Sequence, residues 1–154
     1  LLELHESTND PDLQMSIAGA LCSTRSPELA ERLCKEAIGE KGFVRMQDMF
    51  RWYAYMLRNK YTREVAWDWI TNSWPRLEEL FGGGTMLDYF VKFSAAPLQT
   101  PKWEKKFHDF FEPKSNNIEI ARDIKVAFSE IASRIEWRTR ELPKLEAYFK
   151  VRGR

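Results

Sequence analysis

Apolar side chains recur every three or four positions along most of this chain, which is the spacing of one face of an α-helix. In the first part of the chain this spacing predicts one helix beginning at Asp10-Pro11 and another running from Ser26-Pro27 to Ile38. A capping Asp or Ser followed by proline is a typical helix start. Gly39 stands where a left-handed residue often ends a helix.

The middle of the chain predicts two further helices that are rich in aromatic residues. Gln47–Asn59 places its apolar side chains on one broad face, and a fourth helix begins after a cap at Thr62. Pro75 removes one backbone hydrogen bond from that helix, so a kink is expected there. Gly82–Gly84 then ends the helix, because consecutive glycines favour a turn.

Three helices are predicted in the last part of the chain. The first begins at Thr85 and ends before Pro97, and the second runs from Thr100-Pro101 to Phe111. The third has the clearest apolar stripe, which consists of Ile118, Ala121, Ile124, Phe128, Ile131 and Ile135. Pro143 lies farther along this stripe and predicts either a break or the first turn of a new helix.

The predicted fold class is all-α, because no segment alternates apolar and polar residues as a strand does. Helix starts near Pro11, Gln47, Thr85 and Asn117 recur 32–38 residues apart, close to the period of helical-repeat solenoids. We therefore expect a superhelix of antiparallel helix pairs, similar to HEAT or armadillo repeats. Residues 1–154 would form one such helical-repeat domain, and we expect it to be a fragment of a longer polypeptide.

Composition and charge narrow the possible functions. The chain has 154 residues, of which 14% are aromatic, and its 24 Lys and Arg against 23 Asp and Glu give a net charge of +1. A charge this small does not steer a protein to nucleic acid or to an anionic membrane. No apolar stretch approaches the ~20 residues of a spanning helix. We expect a soluble domain with no nucleic-acid or membrane partner, and a cytoplasmic location is favoured.

Residues with catalytic or metal-binding chemistry are few. His5-Glu6 opens like the zinc motif H-E-x-x-H, but Asn9 stands at the position of the second histidine. His108 is expected to be structural, and Cys22 and Cys34 are expected to be buried free thiols inside helices. We therefore predict no catalytic residue, no metal ligand and no cofactor in this chain.

Three segments in the middle of the chain resemble a known family. They are Val44–Phe50 with its Gln-Asp pair, Ala66–Ile70 with the run Ala-Trp-Asp-Trp-Ile, and Asn72-Ser73-Trp74. Together they resemble the C-terminal helical domain of the aminopeptidase-N-like zinc aminopeptidases, which include puromycin-sensitive and endoplasmic-reticulum members. Weaker similarities, in the same order along the chain, extend the resemblance over about residues 12–149.

The resemblance implies an α-superhelix with a non-catalytic role. In that family the zinc-binding and exopeptidase motifs lie in a thermolysin-like domain, and this chain contains neither motif. The chain would be a fragment of a larger C-terminal domain, without peptidase activity of its own, in a parent zinc metallo-aminopeptidase. Such a domain closes the catalytic chamber and shapes peptide access. The implied partners are the catalytic domain of the same polypeptide and peptide substrates.

The resemblance also implies which residues face a substrate. Helix 47–58 of this chain matches a helix that faces inward in relatives, and segment 93–99 matches a loop near their catalytic cleft. The substrate-facing candidates are Gln47, Arg51 and Arg58 on the helix and Ser94, Ala96 and Gln99 in the loop. Ala54 stands where acidic-residue-specific members have an arginine. This departure argues against a preference for acidic residues.

Two other functions are consistent with the sequence. A free-standing helical-repeat module that binds a protein partner on its concave face is the alternative. Nucleic-acid binding through the more basic last third predicts strongly salt-dependent association, and the near-zero net charge argues against it. An H-E-x-x-H motif upstream in the same gene would favour the aminopeptidase over both.

Overall fold

Helices make up most of the structure. The computed structural model describes residues 1–84 and 86–152. Its helices are α1 Leu2–Ser7, α2 Pro11–Cys22, α3 Pro27–Glu36, α4 Met49–Arg58, α5 Arg63–Phe81, α6 Met86–Ala95, α7 Pro101–Phe111 and α8 Ala121–Arg152, with 3-10 turns at Met46–Asp48 and Glu112–Lys114. The described residues contain no strand, so the predicted all-α class is confirmed. None of the helices described is long and apolar enough to cross a membrane.

The first two predicted helix starts have the expected capping bonds. The Asp10 carboxylate accepts hydrogen bonds from the backbone N–H groups of Asp12 and Leu13, at 2.9 and 3.3 Å. The Ser26 hydroxyl accepts one from the N–H of Leu29 at 3.2 Å. These bonds satisfy donors that have no partner within the helix, which explains why both helices begin where the sequence predicts.

The two helix starts predicted in the middle of the chain take a different form. Gln47 lies in the 3-10 turn, and α4 itself begins at Met49. Thr62 precedes α5 as predicted, but its hydroxyl donates to the carbonyl oxygen of Met56 at 2.7 Å instead of accepting from the first turn of α5. Because Thr62 is fully buried, this bond satisfies a hydroxyl that has no access to water.

Gly39 does not take the left-handed conformation predicted from its position. Among the described residues the glycine with a positive φ is Gly83, at 80°. At Gly39 the backbone turns so tightly that a β-carbon would lie 2.2 Å from the carbonyl oxygen of Lys35. The close approach of two backbone segments, and not a special φ, is therefore what requires glycine at this position.

Neither internal proline ends its helix. α5 continues through Pro75 and α8 continues through Pro143, so the predicted break or new first turn at Pro143 is wrong. Proline has no N–H group, so the carbonyl four residues earlier loses its hydrogen-bond donor. For Pro143 this is the carbonyl of Thr139. Thr139 is exposed, so water can supply the missing hydrogen bond. The kink at Pro75 remains a prediction.

Ile118 is predicted to lie on the apolar stripe of the last helix. It precedes α8 and is 92% exposed, so it does not belong to the stripe.

The glycine run ends α5 as predicted. The N–H of Gly82 donates to the carbonyl oxygen of Glu78 at 2.8 Å, and the left-handed Gly83 follows. The N–H of Gly83 then donates to the carboxylate of Glu119 at 2.5 Å. Thr85, the predicted start of the next helix, lies outside the described residues.

The chain divides into two compact units, Leu1–Gly82 and Gly83–Arg154. In the first unit α4 packs against α2 and α5, and α3 packs against α5. The largest fully buried side chains of this unit are Ile38, Met49, Trp52, Tyr53, Met56, Leu57, Ile70 and Leu77. Five of these eight belong to α4, so this helix is the centre of the unit.

In the second unit α8 packs against α6 and α7. Its fully buried side chains include Leu87, Phe90, Phe107, Phe111, Ile120 and Ile131. In α8 the last buried residue is Ile131, and the rest of the helix is exposed or half-buried. The superhelical arrangement, the repeat and the single-domain organisation remain predictions.

Candidate functional site

Segment 93–99 joins the last turn of α6 to the connection that leads to α7. A turn closes where the N–H of Leu98 donates to the carbonyl oxygen of Ala95 at 3.0 Å. Ala95 and Leu98 are fully buried, whereas Ala96 and Gln99 are exposed. Ala95 and Leu98 therefore hold the segment against the core, and Ala96 and Gln99, two of the residues predicted to face a substrate, are exposed to solvent.

Arg134 of α8 binds the backbone of this turn. Its Nε donates to the carbonyl oxygen of Leu98 at 3.1 Å, and its Nη2 donates to that of Ala95 at 2.8 Å. The remaining nitrogen, Nη1, lies 3.4 Å from the carboxylate of Glu130. Ala95 ends α6, and the last carbonyls of a helix lack partners within it. A planar guanidinium can bind such a carbonyl and a second carbonyl in the following turn at once. Sequence reasoning missed Arg134, because no local motif marks a pairing with carbonyls 36 and 39 residues away.

Ser94 is placed differently from the other residues predicted to face a substrate. Its side chain is fully buried, and its hydroxyl donates to the carbonyl oxygen of Phe90 at 2.6 Å. Serine in a helix commonly bonds the carbonyl one turn earlier in this way. In this structure Ser94 supports the end of α6 from inside and offers no side-chain surface to a ligand, contrary to the expectation that it faces a substrate.

A pocket of about 330 Å³ lies beside the segment, where α6 and α8 meet. Its apolar lining consists of Phe93, Ala95, Ala96, Val126 and Ala127. Among its charged residues, Lys92 lies 2.6 Å from the carboxylate of Asp88 and 3.4 Å from that of Asp123. The hydrogen bond to Asp88 raises the pKa of Lys92. The pocket thus has a mainly apolar lining with a neutralised cation beside it.

The second predicted surface is the exposed side of α4 and of the turn before it. Gln47, Arg51 and Arg58 are all exposed. The guanidinium of Arg51 lies 5.6 Å from the centre of the Phe50 ring, and Arg58 lines a pocket of about 380 Å³ with Tyr55. Two arginines two turns apart on a rigid helix are a suitable surface for carboxylates.

Ala54 lies between Arg51 and Arg58 on the same side of the helix, three positions after the first and four before the second, but its short side chain is buried. It is 5% exposed and belongs to the core of the first unit. A long cationic side chain at this position would have to displace core side chains or leave its charge buried, which is costly. The position where acidic-specific members have an arginine is therefore not a surface position here.

His5 is buried against two aromatic rings. Its ring centre lies 5.3 Å from that of Trp52 and 5.4 Å from that of Phe43. Burial lowers the pKa of His5 below its ordinary value of 6.5. Across residues 1–84 and 86–152 no group of three or more His, Cys, Asp or Glu side chains is arranged to hold a metal ion.

His108 has a packing role on α7. Its Nδ1 lies 2.9 Å from the carboxylate of Glu112, and its ring stacks on that of Phe128 with centres 4.7 Å apart. Its side chain is 47% exposed. These contacts agree with the predicted structural histidine at the protein surface.

The two cysteines are buried free thiols, as predicted. The Sγ of Cys22 donates to the carbonyl oxygen of Trp52 at 3.7 Å, and that of Cys34 lies 3.8 Å from the Sδ of Met56. Burial raises the pKa of each thiol to about 12. Neither cysteine is therefore activated as a nucleophile, since the thiolate is the reactive form.

Comparison with known proteins identifies the family. A family model described as "ERAP1-like C-terminal domain" matches residues 1–133. The chain belongs to this family. It is 33% identical over 138 residues to aminopeptidase N of Lactobacillus helveticus, which covers 88% of the chain and 16% of that protein.

More distant relatives agree with this assignment. The chain is 24% identical over 149 residues to an aminopeptidase N of Lactococcus lactis subsp. lactis, covering 97% of the chain and 17% of the relative. It is 27% identical over 139 residues to aminopeptidase M1-A of Oryza sativa subsp. japonica, covering 89% of the chain and 15% of the relative. The chain thus spans about a sixth of the length of the curated relatives it matches. It corresponds to the C-terminal domain of aminopeptidase N-like enzymes.

Proposed function

We propose that this chain is part of the C-terminal domain of a zinc-dependent aminopeptidase, where it closes the catalytic chamber and shapes the access of peptides. The observation that carries this proposal is the match to the ERAP1-like C-terminal domain over residues 1–133, together with relatives that are about six times as long as their matching part. Zinc and the catalytic groups then belong to the rest of the polypeptide. The partners of this chain are that catalytic domain and peptide substrates.

The surface of α4 supports a role as one wall of such a chamber. A wall requires a firmly packed backbone with polar side chains directed to solvent, and α4 combines five fully buried side chains with exposed Arg51 and Arg58. Guanidinium groups bind carboxylates through paired hydrogen bonds. We assign Gln47, Arg51 and Arg58 to contacts with the peptide away from its N-terminus, where a peptide carries carboxylates.

Segment 93–99 supports the same role by a different geometry. Ala96 is exposed and lines a mainly apolar pocket, and Gln99 is exposed three positions farther along the chain. We assign both residues to the substrate side of the segment and assign Ser94 to its support from below. The exposed amide of Gln99 can form hydrogen bonds with the backbone of an extended peptide, and the pocket at Ala96 suits an uncharged side chain of that peptide.

A free-standing interaction module is the second candidate function. The last part of α8 carries apolar side chains that are unusually exposed, including Trp137 at 54%, Phe149 at 64% and Val151 at 80%. Exposed apolar side chains in such numbers favour contact with another protein surface. The aminopeptidase proposal assigns that surface to the remainder of the same polypeptide, whereas the module requires a separate partner.

A paired assay distinguishes the two functions. Zinc content and hydrolysis of aminoacyl-aminocoumarin substrates are measured for this chain and for the polypeptide in which it is joined to its catalytic part. We expect zinc and activity in the longer protein alone. A longer protein without zinc and without activity would contradict the proposal and favour the interaction module.

A matched substrate pair tests the peptide contact of α4 in the active polypeptide. We expect Arg51→Ala to raise KM roughly tenfold for a peptide with a free C-terminal carboxylate, because a hydrogen bond to a charged group is lost. The same peptide with an amidated C-terminus should show no such increase. Arg32→Ala is the control variant, because Arg32 is exposed on α3 and pairs with Glu36 of its own helix. Equal effects on both peptides would remove Arg51 from the substrate side.

A further inference from the structure

We propose that Arg134 is the positioning residue of segment 93–99, and that its contacts determine where Ala96 and Gln99 meet the peptide. The second part of this inference rests on the proposed function. The first part concerns the chain alone and can be tested without any activity.

All three nitrogens of the Arg134 guanidinium have separate partners. Nε and Nη2 donate to the carbonyl oxygens of Leu98 and Ala95, at 3.1 and 2.8 Å, and Nη1 faces the Glu130 carboxylate at 3.4 Å. Such a planar group is fixed both in position and in rotation. A lysine ammonium is a single point of charge on a flexible stem, so it cannot reproduce the two divergent carbonyl contacts.

The two carbonyls are the ones that shape the turn. The carbonyl oxygen of Ala95 also accepts from the N–H of Leu98, so Arg134 binds both ends of the same hydrogen-bonded turn. The two residues between them and the one that follows are exposed or half-buried, and they include Ala96 and Gln99. Movement of the turn would therefore move both residues that are assigned to the substrate side.

Arg134 lies beyond the buried part of α8, so its contacts with segment 93–99 are distinct from the packing of the core. Ile131, the last buried residue of α8, precedes it by almost one turn, and the side chain of Arg134 is itself 32% exposed. Removing this side chain should leave no large enclosed cavity, since it is partly exposed and its guanidinium contacts backbone oxygens in a partly buried position. Substitution should therefore loosen the segment without unfolding the second unit.

Amide hydrogen exchange of the 154-residue chain tests the first part. We expect Arg134→Ala to accelerate exchange at the N–H of Leu98 by roughly tenfold or more, while the N–H of buried Phe107 in α7 is unchanged. Arg134→Lys should restore only part of the protection. Arg140→Ala is the control, because Arg140 pairs with Glu136 and Glu141 on its own helix.

Three results would overturn the positioning role. Exchange at Leu98 that is the same in Arg134→Ala and in the unchanged chain would show that the turn holds without Arg134. Full protection in Arg134→Lys would show that any cation suffices. If Arg134→Ala lowers the stability of the whole second unit, Phe107 accelerates together with Leu98, and the role is then structural instead of positional.

Kinetics of the active polypeptide test the second part. We expect Arg134→Ala to raise KM for peptides of several residues at unchanged kcat, and to leave both constants unchanged for a single aminoacyl-aminocoumarin. Accelerated exchange at Leu98 with unchanged peptide KM would keep Arg134 as the positioning residue of the turn and would exclude the segment from peptide binding. Absence of activity in the polypeptide without substitutions would contradict the proposed function and leave the exchange result standing.

Discussion

Helix α4 and segment 93–99 hold their exposed residues by different means. The exposure of Arg51 and Arg58 follows from the helical period, because the opposite side of α4 is anchored by many buried side chains. Residues 96–99 follow no helical period, and the shape of this part of segment 93–99 depends on buried Leu98 and on Arg134 from a helix distant in sequence. The α4 surface therefore depends on the core of its unit as a whole, whereas the segment depends on a few individual contacts.

The largest expected effect is the loss of the central ring beneath the α4 surface. Trp52 is 1% exposed and packs edge-on against Phe43 with ring centres 6.1 Å apart. We expect Trp52→Ala to lower the free energy of unfolding by about 3–5 kcal/mol, because the cavity cannot fully collapse. Urea denaturation measures this change.

Trp137 supplies the matched control for Trp52. It is 54% exposed on α8, so Trp137→Ala should change the free energy of unfolding by at most about 0.5 kcal/mol. A similar loss for both substitutions would contradict the assignment of α4 as the centre of its unit.

The second prediction concerns the apolar anchor of segment 93–99. Leu98 is fully buried, and we expect Leu98→Ala to lower the free energy of unfolding by about 2–5 kcal/mol. Its exposed neighbour gives the comparison, since Gln99→Ala should leave stability within about 0.5 kcal/mol. If Leu98→Ala proved neutral in denaturant unfolding, the segment would not be anchored by burial and the contrast with α4 would fail.

The smallest expected effect is a change of stability with pH that is caused by His5, which packs against Trp52 of α4. Burial lowers the pKa of His5 in the folded state below the 6.5 expected in the unfolded chain. Between those two values the unfolded state binds more protons, so the free energy of unfolding decreases as the pH falls below about 6.5. Above that pH the contribution of His5 is fully present.

Urea denaturation at pH 7.5, 6.5 and 5.5 checks this dependence. We expect His5→Gln to reduce the loss of stability between pH 6.5 and 5.5, and His108→Gln at the protein surface to retain it. An identical pH profile for His5→Gln and the unchanged chain would show that another group causes the dependence.

Helix starts show how far local sequence predicts this fold. Asp10 and Ser26 cap their helices as predicted, because capping is an interaction with residues two or three positions away. The tight turn at Gly39 was not predictable, since the requirement for glycine arises from the path of the chain after α3. The unbroken passage of α8 through Pro143 depends on exposure, which the proline itself does not reveal.

The candidate site also contains residues whose exposure is predictable from the sequence and residues whose exposure is not. The exposure of Arg51 and Arg58 is predictable, because it repeats the period that buries the apolar side of α4. The burial of Ser94 and the role proposed for Arg134 are not predictable. A serine one residue before a helix end and an arginine in a charged helix are both residues that usually lie at the surface, so the sequence marks neither one for a supporting role.

Periodicity, caps and local motifs are enough to predict the all-α class, most helix boundaries and the membership in an aminopeptidase-related family. The side chain that supports segment 93–99, and the residues that are exposed there, follow from the packing of the helices and not from local sequence. The two groups of features differ in the range of the interactions that produce them. Helix formation is governed by contacts three or four residues apart, whereas the bonds from Arg134 to Leu98 and Ala95 exist only once α6 and α8 have packed together.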